Sequence, residues 1–468
     1  MAPPPWERVP NQNTLFVLVT GANSGIGFGI CQRLIDNFLA SRSLSSHLIL
    51  IPTTRTAKKS QDTVVALRNH CRKTAKTSKS LRSRAGPDYD PRDTTRRIHI
   101  LSIQLDLCNL PSIQKAAQQL VNGTLSSSCE DGYFEPLVDV EIPRLDALIF
   151  NAGIGGWTGL NWWLVIHHVL TEGVVQATTW PTFKAATAGC TVNPLPKLKD
   201  ADDSTTTPVL GEVFCANVFG HYFFAHALLP LLSRSQDSSM PPGRIIWESS
   251  VEAVWDSFSL ADFQAIKTDA AYESSKRLTD ILALTSNLPA ARPYSSTYLS
   301  PGRSSTATPP KIYLTHPGVV VSSLFPLNAF LFFWYRVALY LARLLGSPWH
   351  PVTAYKGACA PVWLALQDQA ALDALRADRV KWGTSTDRWG REAPKKTEVE
   401  GWGWEGRVED WAVMAAKDRA AGVLGNLVGR KRRARDLTEE KREKFEELGA
   451  ECWREMEELR KEWDTRMR

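Results

Sequence analysis

The sequence lacks the cysteine patterns that stabilise small secreted domains or bind zinc. Its eight cysteines are spread from Cys31 to Cys452 along 468 residues, and no two of them form a CxxC pair. Disulfide frameworks and zinc sites both need closely and regularly spaced cysteines. We therefore predict neither of these, and no metal site of any kind. A reduced, intracellular compartment is the simpler interpretation.

Long apolar segments are also lacking. Residues 1–10 are rich in proline and no apolar run of the signal-peptide type follows them, so we expect no secretory leader. In Leu324–Leu345 the longest run without a charge has 12 residues, because Arg336 and Arg343 interrupt the segment. A membrane span needs about 20 apolar residues. An arginine can extend to the interface, so this segment predicts a peripheral membrane contact.

Positive charge is concentrated in one region. The chain has a net charge of +6, and Lys58–Arg97 alone holds 12 basic and 4 acidic residues. Clustered cations attract nucleic acid, anionic lipid or a phosphate-bearing cofactor, although a solvated loop has the same composition. No nucleic-acid recognition module accompanies the charge, so we predict no nucleic-acid partner.

Short apolar runs alternate with helix-compatible stretches along the first two thirds of the chain. This alternation predicts an α/β fold, a Rossmann-like doubly wound parallel sheet with helices on both faces. The six predicted strands are Thr14–Thr20, His47–Ile51, Ile98–Leu105, Leu145–Phe150, Arg244–Glu248 and Lys311–Thr315.

The predicted domain organisation is one cofactor-binding domain over residues 1–380, followed by two extensions. A polar insertion at about 74–96 has the composition of a mobile loop, and a Trp-rich apolar insertion covers about 154–210. Residues 381–426 form a Trp- and Gly-rich extension, with a loop predicted to about Trp411. In the charged tail, 427–468, apolar residues recur at steps of three and four, which predicts an amphipathic helix that docks on the body. They are Phe445, Leu448, Cys452, Met456, Leu459 and Trp463.

A glycine-rich turn follows the first predicted strand and opens a helix. There, backbone amides at a helix N-terminus can approach a pyrophosphate, and glycine is needed because a Cβ would block the approach. The spacing alone is also that of a tight turn. The candidate residues are Gly21, Ser24, Gly25, Ile26 and Gly27.

The end of the second strand bears on the choice of cofactor. An NAD enzyme places Asp or Glu there to bind the ribose 2′-hydroxyl, but this chain has Thr53 and Arg55, followed by Lys58 and Lys59. Cations at this point can hold a 2′-phosphate, so NADPH/NADP⁺ is the predicted cofactor. Plain solvent exposure is the alternative for the two lysines. Further candidates for the same pocket, after the third and fourth strands, are Asp106, Asn151 and Gly153.

A tyrosine and a lysine four residues apart, Tyr272 and Lys276, share one face of a predicted helix. A nearby ammonium favours the phenolate, so we expect Lys276 to lower the pKa of Tyr272 and make its hydroxyl a usable acid. Ser250, with Ser249 as the alternative, ends the fifth strand, and Asn217 lies on the helix-like stretch before that strand.

Together these motifs resemble the short-chain dehydrogenase/reductase family over about residues 14–325: TGxxxGxG, NAG, Asn, Ser, YxxxK and His-Pro-Gly-Val after the sixth strand. The resemblance implies that Tyr272 donates a proton to a substrate carbonyl, that Lys276 also binds the nicotinamide ribose, and that Ser250 polarises the carbonyl oxygen. It further implies that Asn217 holds a water linked to Lys276. Tyr272 and Lys276 thus count as cofactor-binding residues too, as do Val320 and Ser322, which would bracket the carboxamide.

The chain is similar, more narrowly, to the fungal 3-ketosteroid (3-keto sterol) reductases of ergosterol biosynthesis. Ser250 and Tyr272 are separated by 22 residues, where many members of the wider family have about a dozen, and NAGIGGW, WESSVEA, DFQAIK and YESSKRLTD are further points of likeness. The resemblance implies NADPH-dependent reduction of the 3-keto group of a C4-demethylated sterol to the 3β-hydroxyl. We expect Trp157, Trp162, Trp163 and Trp180 to line the apolar cleft this requires, with core packing as the alternative.

Two other functions stay open. One is another lipid or carbonyl reductase of the same family, and the other is an NADPH-binding scaffold for a sterol-enzyme complex without turnover. We expect the chain at the cytosolic face of the endoplasmic reticulum membrane or on lipid droplets, with other enzymes of sterol biosynthesis as candidate partners.

Overall fold

A nine-stranded sheet forms the centre of the protein, whose computed structural model describes residues 3–128, 132–195, 208–300, 307–321, 328–420 and 429–468. The strands run in the order β9-β8-β7-β6-β5-β1-β2-β3, and the two-residue strand β4 also pairs with β2. Every pair is parallel except β8 with β9, which is antiparallel. The strands are β1 (Thr14–Val19), β2 (His47–Thr54), β3 (Ile98–Ile100), β4 (Ile103–Gln104), β5 (Ala147–Phe150), β6 (Arg244–Glu248), β7 (Lys311–His316), β8 (Lys381–Thr386) and β9 (Glu392–Thr397).

Both faces of the sheet are covered, because successive side chains of a strand point to opposite faces. In β1, Phe16 and Leu18 join the core on one face, while Val17 and Val19 join the core on the other. A parallel sheet with two apolar faces is the predicted doubly wound α/β fold, and this prediction is confirmed. The helices are α1 (Gly25–Ser41), α2 (Ala57–Thr77), α3 (Lys79–Ala85), α4 (Pro91–Thr95), α5 (Leu110–Asn122), α6 (Trp162–Thr179), α7 (Glu212–Phe214), α8 (Gly220–Ala227), α9 (Leu229–Leu232), α10 (Ala271–Thr285), α11 (Arg292–Tyr298), α12 (Ala329–Leu344), α13 (Ala354–Gly357), α14 (Cys359–Leu366), α15 (Gln369–Ala374), α16 (Val408–Ala420) and α17 (Glu439–Arg466).

All six predicted strands are present, and the predicted third strand is divided into β3 and β4. The loop predicted from residue 381 to about Trp411 is wrong at its beginning, because β8 and β9 extend the sheet there. Their sequences, KWGTST and EAPKKT, contain glycine, proline and charges instead of alternating apolar residues. Proline is tolerated because β9 is an edge strand.

The mobile loop predicted at about 74–96 is also wrong. Helix α2 continues to Thr77, and α3 and α4 follow within the same segment. Local caps explain why a polar sequence folds here: Ser78 accepts a hydrogen bond from the amide of Leu81, and Asp90 accepts one from the amide of Arg92. The apolar side chains of Ala75 and Leu81 in this segment are fully buried.

The apolar insertion at about 154–210 is described over residues 154–195 and 208–210. It contains a two-stranded antiparallel ribbon, Trp157–Leu160 with Lys184–Ala186, and α6 lies between these two strands in the chain. A second short ribbon pairs Thr191–Val192 with Leu210–Gly211. The remaining ribbons lie outside the insertion and pair Leu125–Ser127 with Leu137–Val140 and Arg234–Ser235 with Ala307–Thr308.

The charged tail ends in the long helix α17, which packs against α10 and α11 as predicted. Cys452, Met456 and Trp463 are buried in one of the two main cores, with Leu448 and Leu459 partly buried beside them. The indole of Trp453, which the periodic pattern left out, is also buried and donates a hydrogen bond of 3.1 Å to the carbonyl of Leu282.

Candidate active site

The glycine turn between β1 and α1 packs too closely against its neighbours to hold larger residues. Gly21 has a φ of 65°, and a Cβ on it would lie 2.8 Å from Ala152. A Cβ on Gly27 would lie 2.4 Å from the carbonyl oxygen of Gly21. The side-chain amide of Asn151 donates bonds to the carbonyls of Thr20 and Gly21, at 3.0 and 3.4 Å, which holds the end of β5 beside the turn. The turn therefore keeps an open backbone surface at the start of α1.

A cavity of about 540 Å³ opens above this turn, at the carboxyl ends of β1, β2 and β5. In a doubly wound sheet, this is the edge at which ligands bind. Eleven of the residues predicted to bind a cofactor line it: Gly21, Ser24, Gly25, Ile26, Thr53, Arg55, Lys59, Asp106, Asn151, Gly153 and Val320. Gly27 lies beneath the turn, and Ser322 lies outside the described residues.

Cations gather at the β2 end of the cavity. Arg55 and Lys59 line it and are exposed, and neither forms an ion pair within the described part of the chain. They flank the N-terminus of α2, where Thr56 accepts a hydrogen bond from the amide of Lys59 and the first turn has no acidic residue. Cationic side chains beside a helix N-terminus make this end of the cavity attractive to a phosphate group.

Asn217 connects the cavity to α10, the helix that carries Tyr272 and Lys276. It lies in Cys215–Phe219, a π-helical segment between α7 and α8, and such segments often occur at functional sites. The side-chain oxygen of Asn217 accepts a hydrogen bond of 2.8 Å from the amide of Ile154, which lines the cavity. Its amide donates bonds of 3.0 Å to the carbonyl of Ile154 and to the hydroxyl of Ser275, next to Lys276.

Tyr272 and Lys276 lie one turn apart on α10, as predicted, with the Lys276 ammonium 5.7 Å from the centre of the Tyr272 ring. The same ammonium donates a hydrogen bond of 2.8 Å to the carbonyl of Glu248, at the end of β6. This bond fixes the long lysine side chain beside the phenol.

We predicted that the pKa of Tyr272 is lowered, and this prediction is wrong for the protein without a bound cofactor. Burial raises this pKa, and the carboxylates of Glu252, Glu273 and Glu248 raise it further, while a hydrogen bond with Ser250 lowers it. Burial also lowers the pKa of Lys276 to about 8, opposed by Glu248 and Asp280. The phenol therefore stays protonated at neutral pH, which is the form that an acid needs.

The structure distinguishes the two candidate serines by their partners. Ser249 donates a hydrogen bond of 2.5 Å to the carboxylate of Asp280, inside the fold. Ser250 is the serine whose hydroxyl bonds with Tyr272, and it also accepts a bond of 3.2 Å from the amide of Glu252. Ser250 is therefore the serine placed to share a substrate atom with the phenol.

Only two of the four tryptophans that were predicted to line the apolar cleft lie close to Tyr272 and Ser250. Trp157 packs edge-on against Tyr272, with ring centres 4.7 Å apart. The indole of Trp180 is buried and donates a bond of 3.0 Å to the carbonyl of Val251, one residue after Ser250. Trp162 and Trp163 lie on the outer face of α6 instead, 46% and 83% exposed, so they are no part of a cleft wall in this structure.

Two groups of charged residues around the site were not predicted. Lys381 of β8 forms a buried ion pair with Asp280 on α10, and Lys184 of the insertion contacts Glu252 and Glu273. The partners are 101, 68 and 89 residues apart in the chain. No local pattern signals a pairing over such distances.

Similarity to known proteins is high and extends over nearly the whole chain. A 3-keto-steroid reductase of Gibberella zeae is 52% identical over 465 residues, which are 98% of this chain and 96% of the relative. A 3-keto-steroid reductase of Aspergillus fumigatus is 42% identical, with 96% and 94% covered, and one of Saccharomyces cerevisiae is 29% identical, with 83% and 90% covered.

Among solved structures, the chain is similar to a putative short-chain dehydrogenase/reductase from Burkholderia xenovorans, with a TM-score of 0.36 and 15% identity over 74% of this chain and 88% of that one. A 3-oxoacyl-[acyl-carrier protein] reductase from Brucella melitensis, solved in complex with NAD, has a TM-score of 0.37 and 14% identity over 75% and 89%. A comparison with protein-family models finds no match. The identity to full-length relatives, together with the glycine turn and the Tyr272–Lys276 pair, shows that the chain belongs to the family of fungal 3-keto-steroid reductases.

Proposed function

We propose that this protein reduces the 3-keto group of a C4-demethylated sterol to the 3β-hydroxyl, with NADPH as the reductant. The observation that carries the proposal is the position of Tyr272 on α10, with the Lys276 ammonium 5.7 Å and the Trp157 ring 4.7 Å from the centre of its ring. Hydrogen bonds of Asn217 join this helix, at Ser275, to Ile154, which lines the glycine-lined cavity. Relatives that are 52% and 42% identical are named 3-keto-steroid reductases, which supports the same reaction.

The residues of the chain supply the acid and its supports. A bound nicotinamide cofactor supplies the hydride that the carbonyl carbon accepts. The Tyr272 phenol donates its proton to the carbonyl oxygen, which becomes the hydroxyl of the product and stays bonded to the same carbon. The Ser250 hydroxyl donates a hydrogen bond to the same oxygen while negative charge develops on it. The Lys276 ammonium stabilises the phenolate that remains until it is protonated again.

The cavity fits a dinucleotide with a 2′-phosphate better than one without. The glycine turn at the start of α1 gives a pyrophosphate access to backbone amides. At the β2 end, Arg55 and Lys59 line the cavity, and residues 53–59, where β2 ends and α2 begins, contain no carboxylate that could hold a free 2′-hydroxyl. This arrangement supports NADPH over NADH.

The surroundings of Tyr272 support an apolar substrate. The Trp157 ring covers one side of the phenol, and α12 brings Tyr335 close to Glu252 in the same region. A rigid sterol gains binding free energy from burial against such aromatic surfaces.

One assay separates the proposed function from its two alternatives, another reductase of the family and a scaffold without turnover. Purified protein is incubated with NADPH and a panel of 3-keto sterols, retinals and small ketones, and NADPH oxidation is followed. We expect turnover with the 3-keto sterols. Turnover restricted to retinals or small ketones would favour another reductase of the family, and NADPH binding without turnover of any compound would favour a scaffold.

We also propose that α6 and α12 rest on a membrane surface. The two helices pack together and expose large apolar side chains, among them Trp163, Leu170, Phe330 and Phe333, which are 83%, 79%, 70% and 58% exposed. Within the described residues, no helix is long and apolar enough to span a bilayer. An apolar helix pair that lies in the interface fits this geometry, and it would give a water-insoluble sterol a path to Tyr272.

The test is flotation of the protein with phosphatidylcholine vesicles that contain anionic lipid. We expect the wild type to float with the vesicles and the double variant Phe330→Ser with Phe333→Ser to remain in solution. Val65→Ser with Val138→Ser is the matched control, because these side chains are 50% and 64% exposed on other surfaces. Equal flotation of all three proteins would refute the contact.

The membrane we infer is the cytosolic face of the endoplasmic reticulum, with lipid droplets as a second site, because the predicted substrate is a sterol intermediate. Other enzymes of sterol biosynthesis are the partners we expect there. A fluorescent fusion of the chain should follow markers of these two membranes, and the variant with both phenylalanines replaced should become diffuse.

A further inference from the structure

Three charged side chains form a cluster beside Tyr272 that the mechanism above does not use. Lys184 comes from the ribbon of the insertion, Glu252 from the loop after Ser250, and Glu273 from α10. The Lys184 ammonium donates a hydrogen bond to the carboxylate of Glu252 and lies 3.3 Å from that of Glu273. The three side chains are 5%, 17% and 16% exposed, so the cluster is shielded from most of the solvent.

The same ammonium touches the aromatic surface of the site. It lies 4.0 Å from the centre of the Trp157 ring and 5.3 Å from the centre of the Tyr272 ring. Cation–π contacts at these distances are favourable, more so where the cation is desolvated. Lys184 therefore joins the insertion, which carries Trp157, to the helix that carries the phenol.

The two carboxylates act on the phenol through their charge. After burial, Glu252 is the largest influence that raises the pKa of Tyr272, and Glu273 adds to it. Burial raises the pKa of Glu252 itself to about 7, where Lys184 lowers it and Glu273 raises it. The titratable groups that face Glu252 are Lys184 on the ribbon, Tyr272 and Glu273 on α10, and Tyr335 on α12.

We propose that Lys184 and Glu252 are positioning residues for Tyr272. Lys184 holds Trp157 and α10 together around the phenol. The charge of Glu252 sets how readily the phenol releases its proton. An ionised Glu252 stabilises the neutral phenol and makes it a weaker acid. A protonated Glu252 removes this effect, so reduction is faster in that state. The role rests on the proposed reductase function.

The first test replaces the cation. Lys184→Met removes the cation that holds Trp157 and α10 together around the phenol, and we expect kcat for the 3-keto sterol to fall at least about tenfold because Tyr272 is then misplaced, with NADPH binding within about twofold of the wild type. Lys184→Arg should recover most of the activity. Lys311→Met is the matched control, since Lys311 pairs with Asp373 at the surface, with side chains 36% and 50% exposed, and its kcat should stay unchanged.

The second test removes the charge of Glu252 without changing its size. In the wild type, kcat should decline as the pH rises from 6 to 8, because Glu252 ionises in this range. In Glu252→Gln the part of this decline centred near pH 7 should disappear, which leaves only the fall near pH 8 that the loss of the Lys276 proton causes. If the wild type is active and both Glu252→Gln and Lys184→Met match its kcat and its pH profile, this inference is overturned while the proposed function stands. A wild type that reduces no ketone would overturn the proposed function and this role with it.

Discussion

Lys381 and Asp280 form a buried ion pair of 2.6 Å directly behind the serines of the site. The Lys381 ammonium also donates a hydrogen bond of 2.7 Å to the carbonyl of Ser250, and the other carboxylate oxygen of Asp280 accepts the bond from Ser249. Strand β8, which lies between β7 and β9, thus helps to fix the backbone of Ser250.

Replacing Lys381 with Met should destabilise the protein strongly. It leaves the carboxylate of Asp280 buried without its cation, and breaking a buried pair in this way costs about 3–5 kcal/mol. Urea unfolding measures the change in the free energy of unfolding. The double variant Lys381→Met with Asp280→Asn should recover part of the loss, because the buried charge is then gone. A loss below about 1 kcal/mol in the single variant would show that the pair is not as buried as described.

The docked C-terminal helix should contribute to global stability. Trp453 is 1% exposed in the core between α17 and α10, so Trp453→Ala should cost about 3–5 kcal/mol. Trp163→Ala is the matched control, because this side chain is 83% exposed, and it should change stability by less than about 0.5 kcal/mol. Equal effects of the two substitutions on thermal unfolding would contradict the docking.

Arg55→Ala should weaken NADPH binding more than NADH binding if the guanidinium holds, as we propose, the 2′-phosphate that only NADPH carries. Titration of the purified variant with each dinucleotide, followed by tryptophan fluorescence, gives the two dissociation constants. We expect a loss of at least about tenfold for NADPH and a much smaller one for NADH. Equal losses would remove Arg55 from the phosphate contact.

Reduction should also fall as the pH rises through about 8. Burial lowers the pKa of Lys276 to about 8, so the ammonium is present below this pH and is lost above it. A neutral amine no longer stabilises the phenolate of Tyr272. The measurement is kcat from pH 6 to 10 at saturating NADPH, made with Glu252→Gln so that only this decline remains. A constant kcat up to pH 9.5 would be inconsistent with a charged Lys276 in the mechanism.

Most of the sheet could be predicted because its strands carry their own signal. TLFVLV and HLILI are apolar and β-branched, and the glycine turn after β1 follows local rules that hold in any context. Strands β8 and β9 carry no such signal, since KWGTST and EAPKKT become strands only by pairing with the edge of a sheet that is already formed.

The site, like the sheet, has a part that local sequence predicts and a part that depends on contacts between distant residues. Tyr272 and Lys276 are four residues apart, so their proximity follows from helical geometry alone. The pKa of Tyr272 is raised by burial and then by Glu252 and Glu273, and the contact of Glu252 with Lys184 is made across 68 residues. This is why the pairing on α10 could be predicted while the direction of the pKa shift could not.

The most direct test of the central claim is the turnover of Tyr272→Phe. The substitution removes only the hydroxyl, so the ring should keep its contact with Trp157. With a 3-keto sterol and NADPH, we predict that kcat falls at least about a hundredfold while the dissociation constant for NADPH stays within about twofold. A variant that reduces the sterol at the wild-type rate would show that Tyr272 is not the proton donor, and the account would be wrong.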